Sequence, residues 1–205
     1  MRQMQSPATA DHDRLLRRTV ILVAALNCAY FGIEFAVGAA IGSVSLFADS
    51  MDFLEDASVN FLIAFALGWG ARWRARLAMV LALILLAPAA AGLWTAWQKL
   101  LTPAPPAPLP LTLTGLGALA VNLSCALMLA GFRDHSGSLT RAAFLSARND
   151  AIANIAIIAA GAVTAFIWHA AWPDLIVGVG IAIVNADAAR EVWEAAHEEH
   201  RAARS

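Results

Sequence analysis

The segment "FADSMDFLEDASVN", residues 47–60, carries four acidic side chains, Asp49, Asp52, Glu55 and Asp56, inside a stretch otherwise apolar enough to cross a membrane. On a helix each residue turns ~100°, so Asp49, Asp52 and Asp56 share a sector of about 60°, with Glu55 on its flank. An ionised carboxylate in hydrocarbon costs at least ~2.5 kcal/mol, so such a stripe must face a protein interior, a water-filled cavity or a bound cation. A second polar set stands in "TRAAFLSARNDAIANIAII", where Ser146, Asp150 and Asn154 lie on one face at i, i+4, i+8, with Asn149 beside them. Arg148 is the one basic residue within an expected span, too little to neutralise so many acids, and it lies about 200° round its helix from Asp150. Oxygen ligands from two antiparallel helices at i, i+4 spacing can close round a divalent cation, whose charge offsets the repulsion between the carboxylates.

The elements that must position these residues are membrane helices. Of the 205 residues 60% are hydrophobic and 14% charged, and the mean hydropathy is +0.65, which excludes an ordinary soluble domain. A bilayer core of about 30 Å needs ~20 apolar residues per helix. Six segments qualify, at 19–41, 46–69, 77–97, 111–131, 142–168 and 174–190. The fold class expected is an all-α integral membrane protein. It divides into a segment 1–18, a six-helix domain 19–190 and a short tail 191–205. The first span is too long for a signal peptide and contains Asn27 and Glu34.

Arginine sets the orientation. Arg14, Arg17 and Arg18 precede helix 1, Arg72, Arg74 and Arg76 join helices 2 and 3, Arg133 and Arg141 join helices 4 and 5, and Arg190, Arg201 and Arg204 follow helix 6. Lys99 alone falls on the other side, so both termini are expected in the cytoplasm. If helix 2 runs inward from 46 and helix 5 outward from 142, Asp52, Asp56 and Asp150 all reach about 10–15 Å from their helix starts and meet near mid-membrane.

With "NCAYFGIEFAVGAAIGSVSLFADSMDFLEDA", "RAAFLSARNDAIAN" and "WPDLIVG", the sequence resembles the cation diffusion facilitator family of metal transporters across essentially all six spans. The resemblance implies divalent metal efflux in exchange for protons, through a ligand pair on helix 2 and a second pair on helix 5. Carried onto this chain, Asp52 and Asp56 are the first pair and Asp150 is the second member of the other. Its first member, often His or Asp in the family, is Ser146 here, and Ser146, Asn149, Asn154 or water are the candidates for the fourth ligand. The family's cytoplasmic C-terminal domain and His-rich loop have no counterpart, with only His135 left in that loop, so a short form is expected.

The cargo expected is zinc, with cadmium, cobalt, iron or manganese open to oxygen-rich ligation. No resident cofactor, no enzymatic activity and no nucleic-acid partner are expected. The partners are the lipid bilayer of a cell membrane, a bacterial inner membrane by preference, and a second copy in a homodimer. The rival classes are a membrane metal sensor or assembly subunit and, more distantly, an intramembrane aspartyl protease.

The remaining polar residues have structural readings beside functional ones. Asn27 suits interhelical hydrogen bonding, Glu34 a structural hydrogen bond or a proton or exit role, Asp49 a bond to Ser or Thr hydroxyls or an outer vestibule, and Asn122 and Ser124 contacts between helices. Asp174 is expected to cap helix 6. Cys28 and Cys125 read as small core residues, His12, His197 and His200 as solvated side chains, and His169 as part of an interfacial belt with Trp168 and Trp172.

Overall fold

The computed structural model of the chain describes residues 7–61, 64, 92–132 and 138–185, with side chains described from 14 and from 143 in the first and last stretches. Among these residues the chain is helical throughout. Helix α1 is Pro7–Ile41, α2 Val44–Phe61, α3 residues 92–101, α4 Pro108–Ala130, α5 Ser138–Phe166 and α6 Trp172–Asn185. Each of the six expected spans contains a described helix, but only residues 92–97 of the third are described, and the last residues of the second and sixth also lie outside the described residues.

Local chemistry sets the breaks. Gly42 ends α1 in the left-handed region at φ 64°, where a side chain would be strained, and the chain reverses there. Ser43 then starts α2 by accepting a hydrogen bond from Leu46 N at 3.2 Å. The Pro-rich connection leads into α4 with Pro108 at its first turn, where a missing N–H costs nothing. Helix α1 begins at Pro7, well before the span expected from 19, and its 35 residues reach about 52 Å.

Arg14–Ile41, Pro108–Ala130 and Ala143–Phe166 are long and apolar enough to cross a membrane, and Trp172–Asn185 is a shorter apolar helix. Helix α2, with four acids in 18 residues, does not pass such a test because of the side chains that make it interesting. The bundle's perimeter carries Leu116, Leu123, Leu127, Ile152, Ile155 and Ile183 exposed, the pattern of a surface that meets lipid. Cys28 belongs to this perimeter and Cys125 to the core, so only one of the two thiols takes the buried place expected of both.

Four helices form a square: α1 packs on α2, α4 on α5, α1 on α4 and α2 on α5. Helix α6 lies along α2. Two apolar clusters fill the interior. One gathers Val20, Val23, Ala64, Cys125, Leu129 and Ala147 towards the end where Arg14, Arg17 and Arg18 stand; the other joins Leu46, Leu111, Ile157 and Ile181 towards the Lys99 end. Between them runs a polar layer.

Candidate metal site

The polar layer takes its residues from the same level of each helix. Asp49, Asp52 and Asp56 come from the buried face of α2, Asn27 and Glu34 from α1, Asn122 from α4, and Ser146, Asp150 and Asn154 from α5. Asn27, Glu34, Asp49 and Asn154 are fully buried, and Asp52 and Asp56 are 8% and 4% exposed. Glu55, on the flank of the stripe, is exposed.

The structure sets Asp52 and Asp56 of α2 near Asp150 of α5. The Asp52 carboxylate lies within electrostatic range of Asp150, Asp49, Glu55 and Asp56, and Asp150 within range of Asp56 and Asp49. Ser146, one turn before Asp150 on α5, lies beside both Asp56 and Asp150. Asn154 donates to Asp49 Oδ2 at 2.5 Å and accepts from Asn122 Nδ2 at 2.9 Å, which links α2, α5 and α4 by one amide. Asn185 of α6 donates to Asp52 Oδ1. Hydrogen bonds thus hold the carboxylates apart. Among the described residues no three His, Cys, Asp or Glu side chains are already drawn together as a metal would hold them. A cation entering this layer must exchange some of these bonds for its own, and its charge relieves the repulsion that spreads the acids.

The other candidates sort by contact. Arg148 and Asn149 are exposed and bond each other at 3.3 Å, so neither neutralises nor extends the acidic set. Ser124 is exposed and returns its hydroxyl to Ala120 O, whereas Asn122 bonds a neighbouring helix as expected. Asn27 donates to Val23 O at 3.0 Å and to Cys125 Sγ at 3.8 Å. Glu34 abuts Asp49, and neither Glu34 oxygen nor Asp49 Oδ1 receives a hydrogen bond from a protein donor. Away from water such a pair needs a shared positive charge. His169 is exposed near Trp168 and Trp172. The His12 side chain, His135, His197 and His200 lie outside the described residues.

Asp174 departs from expectation. It does not cap its own helix but the next one over: Oδ2 accepts from Val44 N at 2.9 Å, and Oδ1 accepts from Ser45 N and from the hydroxyls of Ser43 and Ser45. Lys99 Nζ reaches the same carboxylate at 2.7 Å, with both side chains buried. The carboxylate meets the positive end of the α2 dipole and an ammonium together. Asn185 and this role of Asp174 were missed in the sequence because each depends on which helix lies beside α6.

The sequence pattern of the cation efflux transmembrane domain matches residues 20–197, nearly the whole chain. The chain belongs to the cation efflux family, that of the cation diffusion facilitators. No curated relative matches it. As a cation efflux protein it is a membrane transporter of divalent cations.

Proposed function

We propose that this protein exports divalent metal cations, zinc first among them, in exchange for protons by alternating access. The observation that supports the reading is that Asp52 and Asp56 on α2 and Asp150 on α5 lie within electrostatic range of one another. In this reading Asp52, Asp56 and Asp150 supply the charge. Ser146 supplies the fourth oxygen, and Asn154, whose Oδ1 keeps a second lone pair, is the alternate donor. The cation binds when the site opens to the cytosol, and protons displace it when the site opens to the far side.

The segregation of arginine supports both termini, and so residues 1–18 and 191–205, in the cytoplasm, with 19–190 as the transport domain of a multi-pass protein of the cell membrane, a bacterial inner membrane by preference. Oxygen donors suit manganese, cobalt, iron and cadmium as well as zinc. The chain acts as a transporter and not an enzyme, as a homodimer or alone.

The test is metal-driven proton flux in proteoliposomes over a panel of cations. Asp52→Asn, Asp56→Asn and Asp150→Asn are each expected to abolish flux while the protein still inserts, because each removes a charge that the dication requires. Retained flux in any one of them at low metal concentration removes that residue from the site.

A further inference from the structure

Helices α2 and α6 run side by side in the same direction, and three contacts fix their register. The Asp174 carboxylate sits on the first N–H groups of α2. Gly178 lies against the same turn, where an added Cβ would come within 2.7 Å of Ser45 N and of the Val44 carbonyl carbon. Ile181 then packs in the cluster that holds Leu46. Seven positions separate Gly178 from Asn185 and seven separate Ser45 from Asp52. Each interval is two turns, about 10.5 Å, and returns to nearly the same face. The backbone register therefore sets Asn185 level with Asp52, and the hydrogen bond from Asn185 Nδ2 to Asp52 Oδ1 completes it.

The geometry points to Asn185 as a direct oxygen ligand of the transported cation, supplied by α6 to a site otherwise built from α2 and α5. The inference rests on the transport reading above. Three aspartates and a serine suffice for four-coordinate zinc, but a cation that prefers six oxygens, such as Mn2+, needs more when each gives one. Asn149 bonds Arg148 and Asn154 bonds Asp49 and Asn122, whereas Asn185 bonds Asp52, one of the three aspartates proposed to supply the charge. The amide nitrogen donates to Asp52, its N–H dipole complementing the negative charge. A dication bound to Asp52 reverses that local charge. Turning the amide by half a revolution then puts Oδ1 where Nδ2 stood, at no cost in volume, and the carbonyl becomes a donor.

The experiment uses the purified full chain in detergent, titrated with Mn2+, Zn2+ and Co2+, with the Co2+ visible absorption recorded at saturation. Asn185→Leu, close in size and without donor or acceptor, is expected to weaken Mn2+ and Co2+ binding by about tenfold or more and to change the Co2+ absorption, since one ligand is lost. Asn185→His, which keeps a donor at that position, is expected to raise the Zn2+ to Mn2+ preference by about tenfold. Unchanged affinity in the leucine variant overturns the inference. So does weakened affinity with an unchanged Co2+ spectrum, because Asn185 would then only position Asp52. An unchanged metal preference in the histidine variant also overturns it. Asp56→Asn serves as the control: if it binds Co2+ as tightly and with the same spectrum as the wild type, the reading of the site itself falls, which is distinct from a failure at Asn185.

Discussion

At the residue scale, the position that departs from the family pattern is the one placed beside two aspartates. Ser146 lies beside Asp56 and Asp150, so replacing it changes the donor set directly. Ser146→His is expected to raise the zinc to manganese binding ratio by about tenfold, because an imidazole nitrogen suits zinc and manganese prefers oxygen. Metal affinity should also fall more steeply on acidification, since a neutral imidazole adds a group for which protons compete. Competition binding at two pH values checks both; an unchanged ratio means that Ser146 does not reach the cation. Glu34 offers a second test. Its carboxyl abuts Asp49 with no protein donor near either Glu34 oxygen, and an amide in its place can donate to Asp49. Glu34→Gln is therefore expected to melt no lower than the wild type in detergent and higher than Glu34→Leu, since of the two only glutamine gives Asp49 Oδ1 a donor.

At the element scale, the Lys99 end of the bundle hangs on Asp174. Its carboxylate satisfies two N–H groups at the start of α2, two serine hydroxyls and the Lys99 ammonium, which ties α2, α3 and α6 together. Asp174→Ala leaves a buried cation and orphaned helix-terminal donors, and such a break costs about 3–5 kcal/mol. Lys99→Met should cost less, because the carboxylate keeps its four other donors. Thermal melts of the two variants give the order, and a more stable Asp174→Ala would refute the account. The close approach of α6 to α2 also depends on Gly178. The two nearest atoms that Gly178→Ala would meet are backbone, which cannot swing aside, so α6 must shift at a cost of about 1–3 kcal/mol. Because the shift disturbs the register that sets Asn185 beside Asp52, metal affinity should fall along with the melting temperature.

At the scale of the whole molecule, the polar layer lies between two apolar clusters, one towards the arginine end and one towards the lysine end. Much of this was legible in the sequence. Composition and the length of the apolar runs gave a bundle of membrane helices, because in lipid each span must satisfy its own backbone and so announces itself locally. The stripe of Asp49, Asp52 and Asp56 followed from helical periodicity alone, and its meeting with Asp150 from the antiparallel course of α2 and α5. What a single helix could not reveal is who its neighbours are. Asp174 reads in sequence as the cap of its own helix, yet it caps α2, since packing at Gly178 brings that terminus closer than its own. Cys28 and Cys125 are chemically alike in sequence, and only the placement of α1 against α4 turns one to the perimeter and the other inward. Asn185 lies beyond any motif, and it becomes part of the site only through the register of α6 on α2. Sequence determined the helices and their acidic face, which are properties of periodicity and composition, and the family, which its motifs carry. Tertiary structure decided the partners of each polar group, because hydrogen bonds between helices depend on distances that no local pattern encodes.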